Sequence, residues 1–383
     1  MGNAKFICIV SAQYFPHVGG VEQYVDNLAK ELLRRGHFVT LITSSINGVD
    51  SYEKEGNLEI YRLPSLQLMG GRFPVYKHNK ELRQFTKSFK KRKYDIMLMN
   101  MRFFLISLYA VRLAKKMNLR CIMLDHGTSH LNTGGKITSW LGELFEHGIT
   151  WMEKRYCKEF AGVSGATLDW LKHFHIKSDI RLYNAVDLKK IETLKENGKR
   201  DFRKEFNIPE EDIVISFVGR ITLEKGIRQL VHVINKLYET RKNIWLIAAG
   251  EGYLMDELKK EACDHIKLIG QVCMEDVVSL LNTSEIFCLP SFSEGFPTCV
   301  LEAGVCDNYV ITTFRGGAKE LITDEGFGTI LPDNNEERLY QALNEMIDRP
   351  DYRKEAASRC RERIVSNYTW GHTAEKLLSL IDA

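Results

Sequence analysis

The sequence predicts an α/β protein with two Rossmann-like domains, each a parallel sheet covered by helices. Three observations support this prediction. Apolar strand-like runs alternate with helical periodicity twice along the chain, a polar stretch at 189–211 separates the two series, and 383 residues are more than one compact domain usually needs. Strands that alternate with helices form a parallel sheet with helices on both faces.

The first series predicts a domain over residues 1–188. It begins with a strand at 5–10, which a Gly-Gly loop joins to a helix at 21–35, and Gly36 ends that helix. Further strands are predicted at 38–43, 96–99 and 121–124, and further helices at 76–90 and 106–117.

The second series predicts a domain over residues 189–365. Its first part, 189–211, is dominated by Lys and Glu and is predicted to be the interdomain connection with a lead-in helix. Strands are then predicted at 214–218, 245–249, 267–269, 286–289 and 309–312, and helices at 226–238, 255–261, 275–281 and 298–305. Two final helices, 351–365 and 370–381, have no strand between them, so the segment 366–383 needs another surface on which to pack.

The composition favours a cytoplasmic protein. The longest apolar runs are too short to span a bilayer, and the chain starts without a basic and then apolar leader. The nine cysteines include no Cys-x-x-Cys pair and mostly fall in apolar patterns, so we expect reduced, buried thiols.

The charge is unevenly distributed. Residues 1–190 hold 29 Lys and Arg against 17 Asp and Glu, a net +12, whereas the rest of the chain carries −9. A basic cluster with Phe85 and Phe89 at 85–93 could dock on an anionic membrane surface. The alternative is a solvated helix end with both rings packed inward. No nucleic-acid-binding motif accompanies these cations, so no nucleic-acid partner is predicted.

Three loops that follow strands could bind a phosphate or a sugar, because ligands of open α/β sheets lie beyond the carboxyl ends of the strands. The first holds Gly19 and Gly20 before a helix, where the backbone could approach a diphosphate, although a plain flexible connection has the same pattern. The second places Arg220 and Lys225 around a helix start, where they could neutralise a diphosphate or be solvated surface cations.

The third loop, 290–302, carries two carboxylates with seven residues between them, Glu294 and Glu302. Thr298 is predicted to be the N-cap of the helix that follows. The free N–H groups at that helix start could bind phosphate oxygens, and Glu302 could accept hydrogen bonds from a ribose diol. An acidic residue near a helix start is also commonly a simple dipole interaction.

In this order of motifs the chain resembles the retaining glycosyltransferases of family 4, which have the GT-B fold. The most specific mark is Glu294-x7-Glu302, and the accompanying motifs are Gly19-Gly20-Val21-Glu22, Asp125-His126-Gly127, Ser164, Asn184-Ala185-Val186-Asp187 and Arg220 with Lys225-Gly226. The resemblance covers essentially the whole chain. It implies two facing Rossmann-like domains with an interdomain cleft and a C-terminal helix crossing back to the first domain.

The resemblance also implies roles for individual residues. The catalytic residues would be His126, Arg220, Lys225 and Glu294. The nucleotide sugar would be bound by Gly19, Gly20, Gly219, Arg220, Lys225, Gly250, Glu294, Gly295, Phe296, Pro297, Thr298 and Glu302. The acceptor side would hold Glu22, His126, Ser164 and Asn184. Phe296-Pro297, Thr298-Cys299 and Ala185 depart from the usual family pattern, which leaves the sugar open.

The expected activity is retaining transfer of a hexose or N-acetylhexosamine from a nucleotide sugar, with UDP preferred, to a glycan or lipid-linked acceptor. The chain is expected to act in bacterial-type surface polysaccharide biosynthesis, in the cytoplasm, with peripheral docking at the inner face of the plasma membrane as an option. No Asp-x-Asp ends a strand, so we expect no metal and no cofactor. A GT-B nucleotide-sugar epimerase is the alternative, followed by a nicotinamide-dependent oxidoreductase, whose three-glycine fingerprint is missing here.

Overall fold

The chain divides into two compact units in a computed structural model that describes residues 3–68, 73–130, 136–198 and 200–382. Unit 1 comprises residues 1–183 and 370–383, and unit 2 comprises residues 184–369. The sequence predicts the first boundary at 188, slightly after the observed one, and the second boundary at 365, slightly before the observed one. Both connecting segments are paired inside unit 2, where Val186 N–H donates to Tyr368 C=O (2.9 Å).

Unit 1 is built on a mainly parallel sheet of order β10-β9-β8-β7-β1-β2-β4-β3, in which only β3 pairs antiparallel. A separate antiparallel pair is formed by β5 and β6. Its strands are β1 (Phe6–Ser11), β2 (Phe38–Ser44), β3 (Tyr52–Glu55), β4 (Leu58–Leu63), β5 (Ser65–Leu68), β6 (Phe73–Tyr76), β7 (Ile96–Asn100), β8 (Cys121–Asp125), β9 (Glu159–Gly162) and β10 (Ile180–Arg181). Its helices are α1 (Gly20–Arg34), α2 (Lys80–Phe89), α3 (Leu105–Met117), α4 (Lys136–Glu153), α5 (Gly165–Lys172) and α15 (Trp370–Asp382).

Unit 2 is built on a wholly parallel sheet of order β13-β12-β11-β14-β15-β16. The strands are β11 (Ile213–Val218), β12 (Ile244–Ala249), β13 (Ile266–Gly270), β14 (Ile286–Leu289), β15 (Tyr309–Thr313) and β16 (Thr329–Leu331). The helices are α6 (Leu188–Asn197), α7 (Phe202–Phe206), α8 (Ile227–Thr240), α9 (Met255–Glu261), α10 (Met274–Thr283), α11 (Thr298–Val305), α12 (Ala318–Leu321), α13 (Glu336–Ile347) and α14 (Pro350–Asn367).

Buried apolar strands and amphipathic helices account for both cores. Every residue of β12 is buried, as expected for the centre of a parallel sheet with helices on both faces. Helix α1 buries Tyr24, Val25, Leu28 and Leu32 at helical spacing. Helix α15 also packs on α1, and its Trp370 ring lies edge-on to Tyr24 at 5.1 Å between centroids. The last helix therefore belongs to unit 1.

The predicted helix at 76–90 is wrong at its start. Tyr76 ends β6, and α2 begins only at Lys80, where the side chain of Asn79 caps it by accepting from Leu82 N–H (2.9 Å). The predicted connection at 189–211 instead contributes two helices to unit 2, α6 and α7. Asp187 and Asp201 cap these helices, so their starts are fixed by local side-chain hydrogen bonds.

The aromatic part of the predicted docking surface at 85–93 is also wrong. Phe89 is buried at 1% exposure, and Phe85 packs against the same core, because α2 is amphipathic and turns its rings toward the sheet. The exposed side chains of this segment are cations such as Lys90, Lys91 and Lys93. Along the described residues, no helix is both long enough and apolar enough to cross a bilayer.

An apolar surface that the sequence does not reveal lies on α4. Trp140, Leu141, Leu144 and Trp151 are each more than half exposed. Their spacing of four and seven residues places Trp140, Leu144 and Trp151 on one side of the helix. A contiguous apolar patch on one helix face indicates an interaction surface rather than scattered exposure.

Candidate active site

The candidate donor loops of unit 2 follow neighbouring strands of its sheet, β11, β12, β14 and β15. The carboxyl ends of parallel strands meet at one edge, so these four loops are brought together there. Phe292 N–H donates to Glu224 C=O (2.8 Å), and Gly317 N–H donates to Gly295 C=O (2.9 Å), which joins the loop after β14 to those after β11 and β15.

Two glycines allow these loops to pack backbone against backbone. Gly250 has φ +140°, and a Cβ there would lie 1.8 Å from Gly219 C=O. Gly226 has φ +69°, and its Cβ would lie 2.0 Å from Pro290 C=O. A side chain at either position would displace the neighbouring loop. Gly226 and Gly250 therefore allow the loops to approach closely, and this close approach sets the shape of the loop cluster.

Lys225 and Glu294 form an ion pair inside this cluster. Lys225 Nζ lies 2.6 Å from Glu294 Oε1, and the two side chains are only 18% and 9% exposed. Ser291 Oγ donates to the same carboxylate oxygen at 2.7 Å. The sequence predicts that both charged residues bind the donor, but it does not predict that they pair. The motif assigns no role to Ser291, whose only signal in the sequence is its position three residues before Glu294.

Arg220 differs from Lys225 in its surroundings. It is exposed in the turn between β11 and a short 3-10 helix, Leu223–Lys225. Because Glu294 neutralises Lys225, the exposed guanidinium supplies the available positive charge of this loop. A guanidinium can bind a phosphate through two parallel N–H groups.

The loop 294–298 is held by its backbone and by one buried ring. Asn184, which the family resemblance places on the acceptor side, lies in unit 2 and donates to Phe296 C=O at 2.9 Å. Phe296 is 5% exposed and its ring lies 5.3 Å from that of Tyr368, so it supports the loop from within. The carbonyl groups of Gly295 and Phe296 accept from Gly317 N–H and Asn184 Nδ2, and these hydrogen bonds fix the backbone of the loop.

The helix that follows this loop has its cap one residue earlier than the sequence predicts. Pro297 is the N-cap of α11, and Thr298 is its first helical residue, so the prediction of Thr298 as N-cap is wrong. Among the described residues no side chain caps this helix start. Val300 N–H donates to Pro297 C=O at 3.3 Å, and the N–H groups before it lie at the positive end of the helix dipole, which favours a phosphate or carboxylate ligand there.

Glu302 is half-buried in the second turn of α11. Burial raises its pKa to about 7, while the charge of Lys190 opposes this shift. A carboxyl group with this pKa is only partly ionised at neutral pH, and hydrogen bonds donated to its oxygens would favour the ionised form. Its protonation is therefore expected to respond to a ligand that carries hydroxyl groups.

The glycine loop of unit 1 leads directly into α1. Gly19 is the N-cap, and Gly20 begins the helix with no atom of the described chain within 4 Å of the position its Cβ would occupy. Glu22 is buried, folds back beside Gly19 and lies 3.3 Å from His17 Nδ1. Gly20 thus offers an open backbone surface, whereas Glu22 stabilises its own helix start and the histidine before it.

His126 is fixed in the loop after β8. Its Nε2 lies 3.0 Å from Asn100 Oδ1, and Asn100 Nδ2 donates to Val10 C=O, so the amide oxygen faces the imidazole and Nε2 carries the proton. The ring also lies edge-on to Tyr24 at 4.8 Å. Burial lowers the pKa of His126 to about 3, so it is neutral at neutral pH. In this tautomer the Nδ1 lone pair of the neutral imidazole can accept a hydrogen bond from a hydroxyl group.

Ser164, also assigned to the acceptor side, is fully buried and caps α5. Its Oγ accepts from Thr167 N–H at 3.1 Å and lies 3.0 Å from Thr167 Oγ1. These contacts give Ser164 a helix-capping role in unit 1.

A buried charge cluster beneath the His126 loop was not predicted. Arg102 is 1% exposed, and its Nε lies 2.7 Å from Asp125 Oδ2. Asp125 Oδ1 accepts from His126 N–H at 3.0 Å, so this pair holds the backbone of the loop. Burial raises the pKa of Asp125, and Arg102 opposes that shift. Burial also raises the pKa of the neighbouring Glu153 to about 8.

Comparison with known proteins matches each unit to a glycosyltransferase family model. Residues 18–190 match the family described as Glycosyltransferase Family 4, and residues 198–363 match Glycosyl transferases group 1. An uncharacterised glycosyltransferase of Methanocaldococcus jannaschii is 24% identical over 100% of this chain and 99% of its own. A phosphatidylinositol N-acetylglucosaminyltransferase chain of Homo sapiens is 25% identical over 98% of this chain and 75% of its own.

Solved structures show the same fold. Sucrose-phosphate synthase from Thermosynechococcus elongatus superposes with a TM-score of 0.77 at 19% identity, covering 99% of this chain and 98% of the other. HepE of Anabaena in complex with UDP-glucose gives a TM-score of 0.73 at 14% identity, covering 99% of both chains. The predicted GT-B class, with two parallel-sheet Rossmann-like units, is confirmed.

Proposed function

The chain belongs to glycosyltransferase family 4, and on that premise we propose that it is a retaining transferase that uses a nucleotide sugar. It would move a hexose or an N-acetylhexosamine to a hydroxyl group of a glycan or a lipid-linked acceptor. The observation that carries this proposal is the Lys225–Glu294 pair, which joins the loops after β11 and β14 at the carboxyl edge of the unit 2 sheet.

Donor binding would use the fixed charges and dipoles of unit 2. Arg220 is exposed and would bind the diphosphate first. The diphosphate would then compete with Glu294 for Lys225, since the two side chains are paired in the ligand-free protein. Glu294, once released, could accept hydrogen bonds from the sugar hydroxyls. The uncapped N-terminus of α11 and Glu302 would bind a phosphate oxygen and the ribose diol.

Transfer would break the bond between the anomeric carbon and the diphosphate oxygen and form a bond from that carbon to the acceptor oxygen. The negative charge that develops on the leaving diphosphate would be stabilised by Arg220 and Lys225, which favours metal-independent transfer. The departing phosphate oxygen would take the acceptor proton on the same face of the sugar, which retains the configuration. Within unit 1, neutral His126 would hydrogen-bond a hydroxyl group of the acceptor.

UDP is the favoured nucleotide. HepE was solved with UDP-glucose, and the human relative is a phosphatidylinositol N-acetylglucosaminyltransferase. By analogy with the latter name, we propose a lipid-linked acceptor and a peripheral location at the inner face of the plasma membrane. We propose that the product belongs to a bacterial-type surface polysaccharide.

The apolar face of α4 would provide the contact with such a membrane. Trp140, Leu144 and Trp151 could insert at the level of the headgroups, as aromatic and aliphatic residues do on interfacial helices. The net charge of +12 in residues 1–190 would attract anionic lipids. In this proposal the exposed apolar residues of α4 make the membrane contact that the sequence predicts for Phe85 and Phe89. Lys90 and its neighbours contribute charge only.

A thermal-shift panel of UDP-, GDP-, ADP- and dTDP-sugars tests the donor class, because a ligand at 100 times its Kd stabilises the folded state by about 2.7 kcal/mol. UDP-sugars should raise the Tm most. NMR of the product then gives its anomeric configuration, and an inverted product would contradict the retaining mechanism. Release of UDP that requires an acceptor would distinguish transfer from epimerisation.

A further inference from the structure

Three histidines outside the candidate active site converge on one point of unit 1. His130 follows β8, His147 lies on α4, and His173 caps the C-terminal end of α5. His173 Nε2 lies 3.2 Å from His130 Nε2 and 3.1 Å from His147 Nε2. One ligand atom from each residue lies within 4.8 Å of both others.

Hydrogen bonds among these rings cannot account for the arrangement. An imidazole nitrogen carries either one N–H or one in-plane lone pair, so His173 Nε2 can make a good hydrogen bond to only one of its two neighbours. Both neighbours nevertheless lie at hydrogen-bonding distance from that nitrogen. A cation between the rings would satisfy all three lone pairs at once.

A buried carboxylate prepares His130 for this role. Glu146 Oε2 lies 3.0 Å from His130 Nδ1, and Glu146 is fully buried. An ionised carboxylate only accepts, so His130 Nδ1 carries the proton and Nε2 presents its lone pair to the other two histidines. A carboxylate that orients the far nitrogen of a histidine is the usual outer partner of a metal-bound imidazole.

Two of the three nitrogen–nitrogen distances match those around a first-row transition metal. Zinc–nitrogen bonds of about 2.0–2.1 Å at tetrahedral angles place neighbouring nitrogens about 3.3 Å apart, close to the 3.1 and 3.2 Å observed. We propose that His130, His147 and His173 bind a Zn²⁺ ion through their Nε2 atoms, with water as the fourth ligand. Imidazole nitrogens disfavour Mg²⁺ and Ca²⁺, which take oxygen ligands.

The ion would join three segments of unit 1 that are far apart in sequence. Through Glu146 it would also reach Arg102, whose Nη1 lies 3.4 Å from the carboxylate and whose Nε holds Asp125. Asp125 in turn binds the backbone of the His126 loop. The metal site would therefore stabilise the His126 loop through Arg102 and Asp125. The separations of 17 and 26 residues along the chain form no compact motif, so the sequence alone predicts no metal.

The test uses the untagged full chain after metal removal, titrated with Zn²⁺ alone by calorimetry. We expect one Zn²⁺ per chain, and a visible Co²⁺ spectrum of the tetrahedral type on substitution. His147→Ala and His173→Ala should each weaken Zn²⁺ binding at least about 100-fold and remove the Zn²⁺-induced rise in Tm. Both side chains are exposed, so these variants should fold.

The control is His78→Ala, because His78 is an exposed histidine of unit 1 outside the cluster. It should bind Zn²⁺ like the wild-type chain. Failure of the wild-type chain to take up one equivalent of Zn²⁺ would overturn the proposal, as would undiminished binding by both alanine variants. In either case the three rings are an aromatic cluster only, packed with Trp170, whose ring stacks on His173 at 5.0 Å.

Discussion

Replacing Lys225 by Met should affect both stability and transfer, whereas replacing Arg220 by Ala should affect transfer alone. At 2.6 Å the Coulomb attraction between Lys225 and Glu294 is about 6 kcal/mol for an effective dielectric constant of about 20. Desolvation offsets much of this. Loss of one partner from a fully buried pair costs about 3–5 kcal/mol. Because Ser291 still donates to Glu294 and both side chains keep some exposure, we expect about 2 kcal/mol for Lys225→Met.

For a unit of the size of residues 184–369, about 2 kcal/mol lowers Tm by about 4–8 °C. Arg220 is exposed, so Arg220→Ala should change stability by less than about 0.5 kcal/mol. Both variants should lower the turnover of the nucleotide sugar about 100-fold or more, since each removes charge that stabilises the leaving group. Differential scanning calorimetry and UDP release measure the two effects. Lys259→Ala, an exposed cation on α9, is the control and should change neither.

The double variant Lys225→Met/Glu294→Gln separates the two roles of the pair. It removes the unpaired carboxylate charge, so it should regain part of the stability lost in Lys225→Met. Turnover should remain low, because neither group is available to the donor. An unchanged Tm in Lys225→Met would show that the ion pair does not form, and wild-type turnover in both single variants would refute the assignment of the donor site.

Three further outcomes follow from the pKa shifts and from α4. UDP binding should release a proton and strengthen as pH rises through about 7, since ribose hydrogen bonds favour ionised Glu302. Calorimetry in two buffers should detect this proton release in the wild-type chain and not in Glu302→Gln. Equal proton release by the two proteins would contradict the ribose role of Glu302. The folded-state pKa of His126 lies below its unfolded value of about 6.5, so its contribution to stability is complete above pH 6.5 and is lost as pH falls toward 3. Tm should therefore fall more steeply with acidification in the wild-type chain than in His126→Gln. Parallel plots of Tm against pH for the two proteins would contradict the buried neutral imidazole. Trp140→Ser/Leu144→Ser should abolish sedimentation with anionic vesicles, whereas Lys90→Glu should weaken it only slightly. If the double serine variant still sediments with the vesicles, α4 is not the docking surface.

Most of the fold follows from the sequence because apolar periodicity decides burial. Strand 286–289 and helix 298–305 are predicted with the bounds that the structure has. Local features at the helix starts caused two errors. Asn79 caps α2 so that it begins four residues after the predicted start, and Pro297 replaces Thr298 as a cap. Neither follows from hydrophobic period, because a helix cap depends on one residue and its local contacts.

The candidate site was predictable as a set of residues but not as a set of contacts. Arg220, Lys225 and Glu294 are marked by an ordered motif, yet the pairing of two of them depends on loops 69 residues apart in sequence. Asn184 shows the same limit, since its contact with Phe296 spans 112 residues. Such contacts arise from tertiary packing, and no spacing within one loop encodes them.

The most direct test of the donor site is a crystal structure of the chain with bound UDP. We expect the diphosphate against Arg220 and Lys225, the ribose hydroxyls within hydrogen-bond distance of Glu302, and a Glu294 carboxylate that has moved away from its 2.6 Å contact with Lys225. UDP bound elsewhere on the chain, or bound here with the Lys225–Glu294 pair intact and Glu302 without a ribose contact, would contradict the proposed donor site.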